Sequence, residues 1–325
     1  MNLNKYGRPK ILCIDCASLG DNVDWSGIQQ LGELITYPDT TTIGVKDMIK
    51  DADIVLTNYT KLSASDFDSA PNLKMIAILA TGFDIVDIAA ARDRGIVVCN
   101  VSGYSTLPVA QHVFALLLEL CAGVCTYNHA VQTGKWITPS TFGFWDRKIV
   151  ELGGKTLGIV GFGSIGQYVA KIGHAFGMNI IAYAPRPKPF PDYRPFEFVG
   201  LEELFRESDF VSLNCPHTPE NTNMINKQSL SMMKPSAFLI NCARGALVNE
   251  ADLRNALDRG TIAGAALDVT VEEPMPKSSA LFQAPNCIVT PHIAWASMEA
   301  RTRLLALVED NIRNFLAGKP INVVN

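Results

Sequence analysis

The sequence predicts an α/β protein made of two doubly wound parallel sheets. Three observations lead to this fold class. The chain has 325 residues, which is more than one ordinary hydrophobic core accommodates. Short apolar runs alternate with amphipathic segments, as they do when parallel strands are joined by helices. A glycine-rich turn at residues 161–166 then marks the start of a second unit of this kind.

Composition limits the classes of partner. Hydrophobic residues are 48% of the chain and charged residues 18%, which is typical of a globular protein. The net charge is −4 without a long block of like charge, so nucleic acid and anionic membranes are not expected as partners. Residues 1–10 lack the apolar segment of a secretory signal, and the most apolar run, 113–124, is too short to span a membrane. We therefore expect a cytoplasmic protein.

The cysteines do not indicate a disulfide framework, because eight of them are spread over a long chain. Cys13 and Cys16 have the spacing of a redox pair. However, Cys13 lies in the apolar run 11–14, and we interpret it as a buried structural thiol.

The first hundred residues are predicted to form the first sheet. Strands are expected at 11–14, 54–56, 75–79 and 96–99, and helices near 25–33, 43–51, 63–68 and 84–93. No glycine-rich phosphate loop occurs here, so this unit is not expected to hold a nucleotide. Thr81, Gly82 and Phe83 follow the third strand, where N–H groups at a helix start would hold a carboxylate. The alternative is that Thr81 only caps that helix.

A long apolar helix is predicted from Val109 to about Thr133, with Pro108 near its start. It is apolar on most sides, which is typical of a helix buried between domains or between subunits. The loop 136–149 adds the aromatic residues Phe142, Phe144 and Trp145. A homodimer interface and a core helix within one chain both account for this pattern.

The second sheet is predicted from residue 155 onward. Strands are expected at 156–160, 179–183, 209–213, 236–240, 262–267 and 286–289, with helices between them. The first strand runs into Gly161, Gly163 and Gly166, whose G-x-G-x-x-G spacing is that of a Rossmann dinucleotide-binding turn. A helix-forming segment at 167–172 follows at once, and the N-terminus of this helix offers N–H groups to the phosphates. An amphipathic helix at 297–317 closes the chain and is expected to pack back on the first domain.

Polar clusters follow three of the later strands. They are residues 241–245, 268–274 and 290–295. Because ligands of open α/β sheets bind outside the carboxyl ends of the strands, we expect these clusters to converge on one crevice.

Four motifs, in this order and spacing, resemble the D-isomer-specific 2-hydroxyacid dehydrogenases over essentially the whole chain. They are the glycine turn, Arg244-Gly245, D-V-x-x-x-E-P at 268–274 and T-P-H at 290–292. Residues 100–101, 109–112 and 142–145 most resemble the glycerate dehydrogenase (hydroxypyruvate reductase) branch. The resemblance implies a Rossmann domain at 105–292 that binds NAD or NADP. It also implies a discontinuous, flavodoxin-like substrate-binding domain at 1–104 and 293–325.

The resemblance further implies a catalytic triad of Arg244, Glu273 and His292. Arg244 would hold the carboxylate and the neighbouring carbonyl of a small 2-oxo acid, by preference hydroxypyruvate or glyoxylate. His292 would exchange a proton with that carbonyl oxygen, and Glu273 would fix the imidazole tautomer. Substrate contacts are expected from Thr81, Gly82, Phe83, Arg244 and His292. The other histidines, His112, His129, His174 and His217, are interpreted as structural, and no metal is expected.

Cofactor contacts are expected along the same crevice. The residues are Gly161, Gly163, Ser164, Ile165, Gly166, Ala184, Arg186, Cys215, Pro216, Cys242, Ala243, Arg244, Asp268 and His292. Ala184 departs from the family, because an Asp that binds the ribose hydroxyls commonly stands there. With Arg186 close behind, NADP or dual use is favoured over strict NAD use, unless Pro185 and Pro187 hold Arg186 in solvent.

A second function stays open on the sequence alone. Corepressors that sense dinucleotides use the same fold and triad, so the triad does not exclude a binding protein. The absence of a basic patch and of an evident disordered extension favours the enzyme. The Glu273–His292 pair favours hydroxy acids over formate, whose oxidation needs no acid–base step on a hydroxyl group.

Overall fold

The computed structural model describes residues 8–137 and 142–325, so part of the predicted aromatic loop, 138–141, lies outside the described residues. The chain divides into two compact units, Met1–Ser105 with Ala296–Asn325, and Thr106–Trp295. Each unit contains one sheet whose strands pair in parallel. The predicted α/β fold class with two parallel sheets is therefore confirmed.

The first unit contains a sheet of five strands. They are β1 (Lys10–Cys13), β2 (Glu33–Thr36), β3 (Ile54–Thr57), β4 (Met75–Ile78) and β5 (Val97–Cys99). Their spatial order, β2-β1-β3-β4-β5, is the flavodoxin-like order. The helices are α1 (Ser26–Leu31), α2 (Val45–Ile49), α3 (Ala64–Phe67), α4 (Ile88–Asp93) and α11 (Met298–Leu316). The central strands β3 and β4 are buried at every residue, as expected for a sheet covered on both faces.

The structure of the first unit differs from the sequence-based prediction at two places. The edge strand β2 is not predicted, because its four residues are exposed or only half-buried and give no apolar run. The helix predicted near 84–93 begins only at Ile88, where the side chain of Asp87 accepts a hydrogen bond from the amide of Ala90. Thr81 therefore neither caps a helix nor lies at a helix N-terminus.

The last helix, α11, completes the core of the first unit. Ser297 caps it by accepting a hydrogen bond from the amide of Ala300, and the helix packs against α1 and β4. Its buried face is formed mainly by Leu304, Leu305, Val308 and Ile312. The buried side chain of Asn311 donates to the carbonyl of Asn100, which fastens the helix to the segment after β5.

All eight cysteines are free thiols. Cys13 is fully buried in β1, and this burial raises the pKa of its thiol. A thiol that resists ionisation is a poor nucleophile, which agrees with a structural role for Cys13.

The second unit contains a sheet of seven strands. They are β6 (Thr156–Val160), β7 (Asn179–Tyr183), β8 (Phe196–Phe198), β9 (Phe210–Leu213), β10 (Phe238–Asn241), β11 (Gly264–Leu267) and β12 (Cys287–Val289). The order β12-β11-β10-β9-β6-β7-β8 places β6 beside β9, where the direction of winding reverses. This reversal creates the crevice in which Rossmann folds bind dinucleotides. The short edge strand β8 is not predicted from the sequence.

Six helices accompany this sheet in the described part of the unit. They are α5 (Thr106–Ala122), α6 (Val124–Gln132), α7 (Ser164–Ala175), α8 (Leu201–Glu207), α9 (Lys227–Met232) and α10 (Glu250–Asp258). The single long helix predicted from Val109 is wrong, since Gly123 adopts a left-handed φ of 62° and α5 and α6 meet at a bend of 56°. The apolar sequence continues through the break, so composition does not reveal it.

No single helix among the described residues is long and apolar enough to cross a membrane. Only the bent pair α5–α6, with its two helices taken together, is long and apolar enough by length and composition.

Candidate functional site

The turn between β6 and α7 contains three glycines with different surroundings. Gly161 has a φ of +95°, and a Cβ there would lie 2.7 Å from the amide nitrogen of Cys215 in the turn after β9. A Cβ at Gly166 would lie 2.1 Å from the carbonyl oxygen of Gly161. Around Gly163, by contrast, no atom of the described residues lies within 4 Å of that position, apart from Gly163 itself and its two neighbours in the chain. The backbone is therefore tightly packed at Gly161 and Gly166. At Gly163 it is unobstructed, and a pyrophosphate would approach the backbone there.

The start of α7 supplies donors for that open side. Gly163 is its N-cap and provides no side-chain cap, so the amides of the first turn face outward without an intrahelical acceptor. Ser164 is exposed and Ile165 is half-buried. Outward amides and the positive end of the helix dipole are the donor set that phosphates prefer. The residues present therefore fit a dinucleotide.

We expect Gly163→Ala to weaken binding of NADH and NADPH about tenfold or more, since the methyl group would occupy the phosphate position, and tenfold is ~1.4 kcal/mol. Folding should change by less than about 0.5 kcal/mol, because Gly163 has ordinary backbone angles and open surroundings. The matched variant Gly166→Ala should instead lower the free energy of unfolding by about 1–3 kcal/mol through overpacking. Fluorescence titration and urea unfolding measure the two effects. Equal destabilisation in both variants would contradict this assignment.

The other predicted cofactor residues also follow strands of the same sheet at their carboxyl ends. Ala184 is half-buried directly after β7, and Arg186 is exposed two residues later. Cys215 and Pro216 follow β9, and Cys242 and Ala243 follow β10. The structure thus places all of these residues along one edge of the seven-stranded sheet, while their contacts to a cofactor remain predictions.

Arg244 lies in a turn after β10 that its neighbours hold in place. The buried side chain of Asn241 accepts a hydrogen bond from the amide of Ala243 (3.0 Å) and donates to the carbonyl of Arg244 (2.8 Å). A Cβ at Gly245 would lie 2.0 Å from the carbonyl oxygen of Thr270, so only glycine lets this turn touch the loop after β11. The Arg-Gly pair thereby brings a half-buried guanidinium against the loop that carries Glu273.

Glu273 and His292 form a hydrogen-bonded pair. Nδ1 of His292 lies 2.7 Å from Oε2 of Glu273, and Oε1 accepts the amide of Thr270 at 2.9 Å. Burial opposes the ionisation of Glu273. The hydrogen bond and charge of His292, the Thr270 amide and the charge of Arg244 outweigh burial and hold the pKa of Glu273 below its usual range. An ionised carboxylate needs a proton on Nδ1, so Nε2 is the nitrogen that exchanges a proton.

The backbone of His292 is held in a left-handed conformation, with φ of 54°. Its amide donates to the carbonyl of Asp268 at 2.8 Å. The fully buried carboxylate of Asp268 accepts the amides of Ile293 (2.9 Å) and Ala294 (2.8 Å). Non-glycine residues adopt this conformation only where their surroundings hold it, and Asp268 provides those surroundings here.

Two further side chains reach the same carboxylate. The hydroxyl of Thr290 donates to Oδ1 of Asp268 at 2.5 Å, and Nε2 of His112 on α5 lies 3.0 Å from Oγ1 of Thr290. Burial opposes the ionisation of Asp268. Hydrogen bonds from His112, from Thr290 and from the two loop amides outweigh it and hold the pKa of Asp268 below its usual range. The contacts seen make Asp268 a support of the His292 loop, and its contact to a cofactor remains a prediction.

Thr81, Gly82 and Phe83 lie in the first unit, in the segment between β4 and α4. The hydroxyl of Thr81 donates to the carbonyl of Val101 (2.8 Å), and the side chain of Asn100 donates to the carbonyl of Thr81 (2.7 Å). Phe83 is exposed. These bonds fix the shape of the segment, and its contact to a substrate remains a prediction.

The comparisons with known proteins agree with this geometry. Residues 114–294 match the family model described as "D-isomer specific 2-hydroxyacid dehydrogenase, NAD binding domain". The chain is 41% identical over 321 residues to a hydroxypyruvate reductase of Blautia hydrogenotrophica, and the match covers 97% of this chain and 99% of that protein.

Solved structures give the same result. An NADPH-dependent glyoxylate/hydroxypyruvate reductase of Sinorhizobium meliloti, in complex with NADP and malonate, superposes with a TM-score of 0.83 at 30% identity, covering 98% of this chain and 97% of that one. A D-lactate dehydrogenase of Aquifex aeolicus, complexed with NAD and lactic acid, has a TM-score of 0.81 at 27% identity and covers 95% and 96%. The chain therefore belongs to the D-isomer specific 2-hydroxyacid dehydrogenase family, and its residues 114–294 are an NAD-binding domain of that family.

Proposed function

We propose that this protein reduces a small 2-oxo acid with NADPH or NADH, by preference hydroxypyruvate to D-glycerate, or else glyoxylate to glycolate. The observation that carries the proposal is the Glu273–His292 hydrogen bond of 2.7 Å, in a loop that contacts the Arg244 turn. Names of relatives add support, since one at 41% identity is a hydroxypyruvate reductase. They do not favour the corepressor-like alternative.

Each residue of the triad has a chemical task in this reaction. Bound NAD(P)H supplies the hydride to the carbonyl carbon of the substrate. The Arg244 guanidinium holds the substrate carboxylate and polarises the carbonyl oxygen, where negative charge develops. Nε2 of His292 gives its proton to that oxygen, and Glu273 keeps the proton on Nδ1 and orients the ring. Oxidation of the hydroxy acid uses the same residues in reverse.

A panel of 2-oxo acids, assayed in parallel with NADH and NADPH, tests the function. We expect the highest kcat/KM with hydroxypyruvate and measurable turnover with glyoxylate. Cofactor binding without reduction of any 2-oxo acid would instead support a dinucleotide-sensing protein.

Cofactor choice is proposed from the turn after β7. Ala184 offers no acceptor for the ribose hydroxyls, and the exposed Arg186 is available to a 2′-phosphate, so we infer NADP preference or dual use. Ala184→Asp is expected to raise kcat/KM for NADH relative to NADPH by about tenfold or more, since the new carboxylate accepts from ribose and repels the phosphate. Paired kinetics measure the shift.

Lys188 provides the matched control for that turn. It is exposed four residues beyond Ala184, and Lys188→Gln lowers the net charge by the same single unit outside the ribose position. An equal shift in both variants would mean that general charge, not ribose recognition, sets the preference. A wild type that already prefers NADH at least about tenfold would overturn the proposal for Arg186.

We also propose that two copies associate through the region around α6. Large apolar side chains between residues 118 and 149 are exposed, among them Phe142 at 98%, Ile137 at 78% and Trp145 at 74%. Tyr127 contacts Phe144 edge-on, with 5.9 Å between ring centres, so the segment packs on itself and still leaves these faces in water. Association would remove that apolar surface from water. Sedimentation equilibrium tests this, because a particle of 35.4 kDa would contradict a homodimer.

A cytoplasmic location is proposed as well. Eight free thiols, several of them buried, agree with a reducing compartment. Cell fractionation tests this, and recovery of the protein in a secreted fraction would contradict it.

A further inference from the structure

His112 lies against Thr290 and Asp268, the two residues that hold the loop of His292 in place. It lies on α5, and its side chain is 19% exposed. Its Nε2 lies 3.0 Å from Oγ1 of Thr290 and 3.4 Å from Oδ1 of Asp268. The mechanism above gives it no task, and its sequence context alone indicates only a structural histidine.

The proton positions along this chain follow from its last member. An ionised carboxylate only accepts hydrogen bonds, so the Thr290 hydroxyl must donate to Oδ1 of Asp268, at 2.5 Å. The oxygen of Thr290 then receives the bond from His112, which requires a proton on Nε2. The resulting order is His112 to Thr290 to Asp268, and the same Nε2–H, 3.4 Å from Oδ1, also contributes a longer direct hydrogen bond to Asp268.

These hydrogen bonds hold the backbone in place both before and after His292. Thr290 precedes His292 by two residues and is tied to Asp268 through its hydroxyl. Ile293 and Ala294 follow it and are tied to the same carboxylate through their amides. His292 lies between these attachments with a φ of 54°, and its ring reaches Glu273 from there. If the Thr290 hydroxyl rotated away, Oδ1 of Asp268 would lose one hydrogen-bond donor. The segment that precedes His292 would then no longer be bonded to Asp268 through Thr290.

We propose that His112 is a positioning residue for His292. By donating to Thr290 it directs the Thr290 hydroxyl onto Asp268, and so holds residues 290–294 in the conformation that brings Nδ1 of His292 to Glu273. The inference rests on the proton-exchange role proposed for His292 above.

Four variants test it in two matched pairs. His112→Leu and Thr290→Val each remove one polar link while keeping much of the side-chain volume. Each should lower kcat about 10- to 100-fold, since small displacements of a catalytic group have effects of that size. The KM for NADPH should change little. His112→Gln and Thr290→Ser keep the donor and should recover most of the lost kcat.

The double variant His112→Leu/Thr290→Val gives the decisive comparison. Both changes break one chain, so the double variant should lose no more kcat than the larger single loss. A loss equal to the product of the two single losses would overturn the proposal. So would a His112→Leu protein with a lower Tm and wild-type kcat. Thr290→Val removes only the hydroxyl, and it provides the same test if His112→Leu folds poorly.

Two further measurements separate this inference from the proposed function. Nitrogen NMR of histidine-labelled wild-type protein should show the Nε2–H tautomer of His112, and the Nδ1–H tautomer would contradict the order of donors. His292→Ala, assayed alongside, tests the proposed function itself. If His292→Ala keeps its turnover, the proposed function is wrong. If His292→Ala loses its turnover while His112→Leu and Thr290→Val keep theirs, the proposed function stands and His112 is not a positioning residue.

Discussion

Replacing His292 by alanine is expected to lower kcat for 2-oxo acid reduction by roughly 10²–10⁴-fold, the contribution typical of a positioned acid. The variant loses the imidazole whose Nδ1 lies 2.7 Å from Glu273, and with it the group that we propose gives a proton to the carbonyl oxygen. The glycine turn and the strands that precede the predicted cofactor residues are unaltered. The dissociation constant for NADPH should therefore stay close to that of the wild type, as fluorescence titration measures.

His292→Asn separates chemistry from folding at this position. Asparagine tolerates the left-handed φ of 54° better than alanine does, and its amide nitrogen can still donate to Glu273. It cannot carry the proton, so kcat should fall as far as in His292→Ala while the Tm stays near that of the wild type. Turnover near the wild-type level in either variant would exclude His292 as the acid.

Arg244→Lys is expected to lower kcat/KM by roughly 10²–10³-fold, as loss of a donor to a developing oxyanion does. Lysine keeps the charge but loses the planar fork that binds a carboxylate and a carbonyl together, so KM should rise and kcat should fall. Because the charge remains, the depressed pKa of Glu273, to which Arg244 contributes, should change less than in Arg244→Gln. Steady-state kinetics with varied 2-oxo acid measure the effect.

Arg206 provides the control for that substitution. It lies on α8 and forms an exposed ion pair with Glu202 one turn away, a contact of small energetic weight. Arg206→Lys should leave both kinetic constants and the Tm unchanged. If Arg244→Lys changes only the Tm and resembles Arg206→Lys in its kinetics, Arg244 is a structural residue.

The sequence predicts the buried parts of the fold better than its edges. Strands such as β3, β6 and β10 are apolar on both faces, and their predicted positions agree with the structure within two residues. The edge strands β2 and β8 are short and partly exposed, so they leave no continuous apolar run. Gly123 interrupts a helix whose apolar pattern continues beyond it, so only the backbone angle reveals the break.

The site shows a similar division. The residues of the motifs lie at the carboxyl ends of strands, because that placement follows from the order of strands and loops. The residues that hold those motif residues in place could not be predicted in this way. His112 and Thr290 are separated by 178 positions, and nothing in the local sequence of either one indicates that they meet. Asn241 and Thr270 stand inside recognisable motifs, but their bonds depend on the detailed path of the backbone.

The discontinuity of the first unit has a consequence for biosynthesis. Its helix α11 lies at 298–316, so the ribosome makes it after all of residues 106–295. While the nascent chain ends before residue 298, Leu304 and Val308 are missing from the core that they fill against α1 and β4. The second unit, in contrast, has every segment of its sheet once β12 has emerged. Domains fold as units when their segments are complete. The first unit, most of which is made before the second unit, is therefore completed after it.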